Sequence, residues 1–160
     1  LNGRTDGDAL GWWWGETLRQ HVFRPPSVFN FYPPDYPVAG TSLQGSAFGI
    51  HNANTALERL NFLTYLLNWG GSQPATNVPN AVGTQVVLDS FDADAADAAK
   101  LVDRLSLLAH GEPLPDAARA KVLEAVQWWT DKTDAKTWQR NRVATAAYLV
   151  FAAPQFQIVR

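Results

Sequence analysis

Hydrophobic residues recur with a helical period over most of the chain, and this pattern predicts about five helices. The clearest stretch runs from 53 to 69, where apolar residues three and four positions apart build a broad face that Gly70 and Gly71 end. The sequence therefore predicts an all-α fold in an orthogonal or bundle arrangement. The other predicted helices cover about 9–22, 92–110, 115–132 and 135–152.

Capping residues mark the predicted ends of these helices. Polar side chains that accept backbone N–H groups favour helix starts, proline suits the first turn, and glycine suits the position after the last turn. Gly111 is expected to end the helix that begins near 92. The expected starts are Asp8, Asp92 or Asp94, Pro115, and Thr133 or Asp134.

The stretch from about 24 to 49 has no helical pattern. It contains five prolines, which remove backbone donors and fix φ, and three glycines, which permit turns. Aromatic and aliphatic residues lie between them. A segment this apolar is expected to pack on the rest of the protein rather than remain exposed, so we expect an ordered Pro/aromatic-rich loop. Its expected anchors on the helices are Phe23, Val28, Phe29 and Phe31.

We interpret residues 1–160 as a single C-terminal helical domain, or a fragment of a larger protein. Residues 1–8 are polar and Gly-rich, which predicts a flexible segment. Residues 9–69 are expected to form a helix–loop–helix unit, and residues 92–153 a three-helix segment. Position 1 is Leu rather than Met, so we expect a processed form or an excised piece.

Charge and hydropathy disfavour two classes of partner. Thirteen basic and 15 acidic residues give a net charge of −2, whereas nucleic acids and anionic membranes need a basic surface. The longest apolar stretch, 144–154, is too short for a membrane span, which needs about 20 residues. We therefore expect no nucleic-acid partner and no membrane span.

Aromatic residues are concentrated in the first half of the chain. Trp12, Trp13 and Trp14 are consecutive. On a helix, neighbouring side chains point about 100° apart, so the three cannot all face one core. At least one of them must meet solvent, a partner or a segment outside this chain.

Two motifs in the first half carry a family resemblance. They read FRPPSVFNFYPPDYPVAGT from Phe23 and FGIHNANTALERLNFL from Phe48. Together with LVDRLSLLAHGEPLPDAARAKVLEAV and RNRVATAAYLVFAAPQFQIVR, they resemble the C-terminal part of the bacterial domain-of-unknown-function 1800 family over about 15–160. The resemblance implies a mostly helical, exported protein, periplasmic or extracellular. It also implies an amino-terminal portion that this chain lacks, and no catalytic role can be carried over from it.

The aromatic excess leads to the first functional hypothesis, a binding or interaction module. Sugar rings present apolar faces that stack on aromatic side chains, and amides or carboxylates bind their hydroxyls. The alternative is that the same aromatics only fix the loop to the helices. A polysaccharide or a protein is the expected partner. The candidate ligand-binding residues are Trp12, Trp13, Trp14, Tyr32, Asp35, Tyr36 and Asn52.

Two alternatives remain open. In the first, the chain is the C-terminal part of a hydrolase-like enzyme, which predicts that Arg24, His51 and Glu58 converge in one cleft. A sugar hydrolase also needs two carboxylates flanking a bond, and the spacing of Glu16, Asp35 and Glu58 identifies no pair. In the second alternative, the chain is purely structural and completes the fold of a parent protein.

Metal and cofactor chemistry have little support in the sequence. Cysteine is absent, and His21, His51 and His110 have no ligand partner at the spacing that a helical metal site needs. Phosphate-binding and dinucleotide-binding motifs are also absent. We expect no metal and no cofactor.

Overall fold

The computed structural model describes residues 2–157, so Leu1 and residues 158–160 of the predicted domain lie outside the described part. The prediction of a mostly helical chain with about five helices is confirmed, and the strands β1 and β2 form one small sheet. In chain order the elements are β1 (Asn2–Arg4), a π-helical turn (Leu10–Trp14), α1 (Gly15–Thr17), a 3-10 turn (Ser46–Gly49), α2 (Ala53–Leu67), β2 (Gln85–Val87), a 3-10 turn (Asp89–Asp94), α3 (Ala98–His110), α4 (Asp116–Gln127), α5 (Trp138–Ala152) and α6 (Pro154–Gln157).

The described chain divides into two units. One comprises residues 4–65 and 71–85 and is called the loop unit below. The other, called the helical unit, comprises residues 66–70 and 86–157 together with residues 2–3. The interpretation of the chain as a single domain stays a prediction.

The helical unit has a core built by α3, α4 and α5, each of which packs on the other two. Its fully buried side chains follow the helical period that the sequence shows, because one face of each helix is apolar. Phe91 joins this core from the 3-10 turn that precedes α3. The helical residues that are almost completely buried are Leu101, Val102, Leu105, Val126, Val143, Ala146, Ala147 and Val150.

The start of α3 corrects the predicted cap. Asp97, rather than Asp92 or Asp94, caps the helix and accepts the Lys100 N–H at 3.0 Å. Asp94 is instead buried, with its carboxylate 2.7 Å from Lys100 Nζ and also paired with Arg104. The hydrogen bond from Lys100, followed by that from Arg104, lowers the pKa of Asp94. Gly111 ends α3 at φ 75°, as predicted.

Arg142 lies in the interior of the helical unit without a carboxylate partner among the described residues. Its guanidinium donates to the carbonyl of Ala95 at 2.9 Å and, through Nε, to the carbonyl of Trp129 at 3.1 Å. The ring of Trp138 lies 4.7 Å from the guanidinium carbon. Arg142 therefore ties two loop carbonyls to α5, and burial lowers its pKa.

The segment at the start of the chain, predicted to be flexible, forms hydrogen bonds with a distant part of the loop unit. Within the loop unit, the Asp6 carboxylate accepts the backbone N–H groups of Val82 and Gly83 at 2.8 and 2.9 Å. These hydrogen bonds, with that from Gly83 the largest, lower the pKa of Asp6. Sequence composition missed this contact because its partners lie more than 70 positions away.

The first helical segment begins differently from the prediction. Asp8 does not cap it; Ala9 occupies the N-cap position in the left-handed region at φ 62°, with no side-chain cap bond. The turn that follows is π-helical and passes directly into α1, which ends at Thr17. The segment is therefore shorter than the predicted helix over 9–22.

Residues 24–49 fold back on themselves through short-range hydrogen bonds. Isolated bridges pair Ser27 with Asn30 and Pro37 with Gln44. The expectation that apolar side chains fix this stretch to helices is wrong for three of the four anchors. Phe23 is 97% exposed, and Val28 and Phe29 are also exposed, whereas Phe31 is half-buried.

Candidate functional site

The three consecutive tryptophans occupy different environments, as the helical geometry requires. Trp14 is buried in the loop unit, with its ring centroid 5.1 Å from that of Phe62 and 5.3 Å from that of Tyr65 on α2. Trp12 and Trp13 are 69% and 63% exposed. Trp14 therefore holds the segment to α2, and its two neighbours are free for other contacts.

An open cleft of about 370 Å³ lies in the loop unit, and we call it the Arg24 cleft. This volume falls within the range typical of small-ligand sites, roughly 300–1,000 Å³. Its polar side chains are Glu16, Arg19, His21, Arg24 and Tyr36. Its apolar walls are Pro26, Phe31, Pro33 and Ile50, and the glycines 15 and 49 complete the lining.

A tight turn after α1 brings the charged residues to the cleft. Arg19 adopts a left-handed conformation at φ 55°, which stops the helix, and Gln20 N–H donates to the carbonyl of Gly15 at 2.8 Å. The chain then passes so close to Gly15 that a Cβ there would lie 3.0 Å from His21 Cα. Glycine at position 15 therefore allows the fold that places Arg19 and His21 beside Glu16.

Trp12 is tied to the edge of the Arg24 cleft by two lining residues. Its ring meets His21 edge to face at a centroid distance of 5.8 Å, and the Arg24 guanidinium lies over it at 5.9 Å. The latter distance is near the limit of a cation–π contact. His21 Nδ1 lies 3.1 Å from the carbonyl of Val22, which can only accept, so this nitrogen carries the hydrogen.

Charges in the Arg24 cleft are not neutralised by the surrounding protein. Two guanidiniums, Arg19 and Arg24, face one carboxylate, Glu16. None of the three side chains forms an ion pair or a side-chain hydrogen bond with another residue between 2 and 157. The described ion pairs all lie in the helical unit. The cleft can therefore offer strong hydrogen-bond donors to an anionic group.

Comparison with known protein families identifies the family of the chain. Residues 4–158 match the family model described as protein of unknown function (DUF1800). The chain belongs to this family. No curated protein and no solved structure matches the chain.

The DUF1800 motif from Phe23 onward contributes several of the lining residues, among them Arg24 and Tyr36. Tyr32 and Asp35 come from the same motif; both side chains are exposed, and neither lines the cleft. Trp13 is exposed on the segment before α1.

Four other candidates lie away from the Arg24 cleft. Asn52 precedes α2, and its side-chain oxygen accepts the N–H groups of Asn54 and Thr55 at 3.0 and 3.2 Å, so it caps that helix. Trp14 belongs to the packing described above. His51 and Glu58 do not line the cleft, and Glu58 accepts a hydrogen bond from Asn61 on its own helix. Of Arg24, His51 and Glu58, the Arg24 cleft is lined by Arg24 alone, and their convergence in one cleft stays a prediction.

Sequence analysis missed Arg19 as a site residue and treated His21 only as a metal candidate. The signal was weak, because Arg19 falls within a predicted helix that in fact ends before it. Among residues 2–157, no group of three or more His, Asp and Glu side chains is placed to hold a metal ion. No helix in the same range is long and apolar enough to cross a membrane.

Proposed function

We propose that this protein is an exported bacterial binding module that holds a polysaccharide at the Arg24 cleft and on the neighbouring ring of Trp12. The observation that carries the proposal is the exposed indole of Trp12 beside a cleft with mixed polar and apolar walls. Sugar rings have apolar C–H faces that stack on aromatic rings and hydroxyls that need hydrogen-bonding groups. The Arg24 cleft and Trp12 together offer both.

The contacts of Trp12 favour binding in energetic terms. His21 and Arg24 contact part of the indole ring, and 69% of the residue stays exposed for a ligand to cover. Tryptophan is also among the residues whose truncation most often costs more than about 2 kcal/mol at binding surfaces. Trp12 is therefore the residue on which we expect affinity to depend most.

Further aromatic residues of the loop unit support a ligand longer than one ring. Trp13 lies next to Trp12 in the chain, and Tyr36 lines the cleft wall. Tyr32 is exposed in the same motif and Asp35 adds an exposed carboxylate. In this proposal Trp14 and Asn52 serve the fold rather than the ligand.

Export rests on the family. The resemblance to the DUF1800 family implies a periplasmic or extracellular protein, where polysaccharides are accessible. Fractionation of cells that express the natural full-length gene with a C-terminal tag tests this part. Recovery of the protein in the cytoplasmic fraction alone would contradict the proposed export.

The residues of the Arg24 cleft give less support to the alternative that the chain is part of a hydrolase. It needs two carboxylates about 5–10 Å apart across a glycosidic bond. The Arg24 cleft supplies one, Glu16, and its described lining includes neither Glu58 nor His51. Binding without bond cleavage is the function that this set of residues supports best.

A glycan titration tests the proposal. The chain is titrated with soluble cello-, xylo-, chito- and galacturono-oligosaccharides while tryptophan fluorescence and heat are followed, and is incubated with insoluble cellulose and chitin in pull-down assays. We expect binding to at least one glycan. Trp12→Ala should weaken it by about tenfold or more, since about 1.4 kcal/mol corresponds to a factor of ten.

Trp69→Ala is the matched control, because Trp69 is also highly exposed but lies outside the loop unit. It should leave the affinity unchanged. The proposal fails when no glycan binds, or when both tryptophan variants lose affinity equally.

A further inference from the structure

The Arg24 cleft has an uncompensated positive charge in a protein whose net charge is −2. Arg19 and Arg24 together outweigh Glu16, and neither arginine is paired with a carboxylate among the described residues. Arg104, Arg119 and Arg142 in the helical unit have protein oxygens as acceptors, so their donors are already used. Arg19 and Arg24 are exposed and keep their donors available beside the cleft.

We infer that the Arg24 cleft selects a carboxylate-bearing sugar, a uronic acid unit of an acidic polysaccharide. This inference rests on the proposed function and adds the class of ligand to it. A guanidinium offers a planar fork of donors that matches the two oxygens of a carboxylate. The sugar ring that carries the carboxylate would lie against the apolar walls and the ring of Trp12.

Position and charge of the neighbouring groups sharpen the selectivity. Arg24 lines the cleft and also lies 5.9 Å from the ring of Trp12, so a carboxylate bound to its donors would have its sugar ring near the indole. Glu16 opposes an anion but can accept hydrogen bonds from ring hydroxyls. Because the chain as a whole is slightly acidic, a polyanion gains nothing from the protein at large. Binding must therefore depend on the local pair of arginines.

The first experiment compares ligands that differ only in charge. Binding of oligogalacturonate, its methyl ester and a sulfated oligosaccharide of similar length and charge is measured by calorimetry at 0.15 M salt. We expect the uronate to bind about tenfold or more tightly than its methyl ester, because charge-assisted hydrogen bonds are lost in the ester. The sulfated sugar should bind more weakly than the uronate, since the carboxylate geometry matches the guanidinium fork.

The second experiment uses charge variants of the chain. Arg24→Gln and Arg19→Gln should each weaken uronate binding by about 10–100-fold, and Glu16→Gln should strengthen it. Arg140→Gln is the matched control, because Arg140 is exposed on α5 and has no ion pair among the described residues. Arg24→Lys retains the charge without the fork, and should restore only part of the affinity. Circular dichroism melting identifies any variant that loses its fold.

The outcomes separate this inference from the proposed function. Trp12-dependent binding of neutral sugars, with no preference for the uronate, overturns the inference and leaves the function standing. Equal affinity for the sulfated sugar and the uronate also overturns it, since charge alone would then suffice. If Arg140→Gln loses as much affinity as Arg24→Gln, the inference is overturned as well. If no glycan binds, both the inference and the proposed function are wrong.

Discussion

Several charged and aromatic residues of the helical unit are buried or paired, whereas residues of the same types in the loop unit are exposed and unpaired within the described chain. In the helical unit, Asp94 is held by two cations and Arg142 by backbone carbonyls, and Phe91 is fully buried. In the loop unit, Arg19 and Arg24 have no ion-pair partner among the described residues. Phe23, in the same unit, is 97% exposed.

This contrast separates residues that stabilise the fold from residues that remain available to bind a ligand. A buried or paired group contributes to folding, and its binding capacity is already used. An exposed aromatic or unpaired guanidinium contributes little to folding and keeps that capacity for a ligand. The comparison is consistent with the proposed binding site in the loop unit, and substitutions of the same residue type in both units test it.

The largest expected effect comes from a pair of phenylalanines. Phe91→Ala should destabilise the protein by about 3–5 kcal/mol, because it removes a fully buried aromatic ring and leaves a cavity. Phe23→Ala should change the free energy of unfolding by less than about 0.5 kcal/mol. Urea denaturation of both variants measures the difference. A comparable loss in Phe23→Ala would show that its ring is packed in solution, and would break the comparison.

A pair of arginines on α5 should give the next largest effect. Arg142→Met leaves the carbonyls of Ala95 and Trp129 without their donor, and each unsatisfied buried group costs about 1–3 kcal/mol. We therefore expect a total loss of about 2–4 kcal/mol. Arg140→Met, two positions away and exposed, should have almost no effect. Thermal and urea unfolding check both values, and similar losses would contradict the assignment of Arg142 as an interior anchor.

Much of the helical unit could be predicted from the sequence. The apolar residues of α3, α4 and α5 recur at helical spacing, and Gly111 ends α3 as expected. The predicted cap of the last helix, Thr133 or Asp134, is wrong, because α5 begins at Trp138 with Thr137 in the N-cap position, and Asp134 accepts N–H groups of the preceding turn. The predicted end of α4 was too late, since the helix stops at Gln127 rather than near 132. The choice of Asp97 over Asp94 could not be foreseen, because it depends on the burial of Asp94 beside Arg104, which lies ten positions away.

The loop unit was harder to predict, because its structure depends on backbone conformations rather than periodicity. Ala9, Arg19 and Phe23 adopt positive φ angles, and none of these residue types favours that region as glycine or asparagine does. The sequence correctly indicated that the tryptophans at 12–14 would face different ways. It also identified Arg24 and Tyr36 as candidate site residues, but the turn that adds Arg19 and His21 to the same cleft was not visible in it.

The smallest expected effect is a pH dependence of stability in the helical unit. Both ring nitrogens of His110 are buried without a hydrogen-bond partner in the described chain. Burial lowers its pKa below the ordinary value of 6.5, and the nearby charge of Glu112 partly opposes the shift. The unfolded chain thus binds a proton near pH 6.5 that the folded chain binds only at lower pH. The free energy of unfolding should therefore fall as the pH decreases below about 6.5.

The carboxylates with lowered pKa values do not contribute to the change in stability between pH 5.5 and 7.5. Asp6, Asp94, Asp103 and Asp134 have pKa values lowered below 3.8, so their stabilisation is fully present above that pH and is lost only on further acidification. Urea unfolding at pH 5.5, 6.5 and 7.5 measures the slope. His110→Phe should flatten it, whereas Glu112→Gln should extend it to lower pH, because the charge that supports protonation is gone. An unchanged slope in His110→Phe would contradict the prediction, since it would show that another group is responsible for the pH dependence in this range.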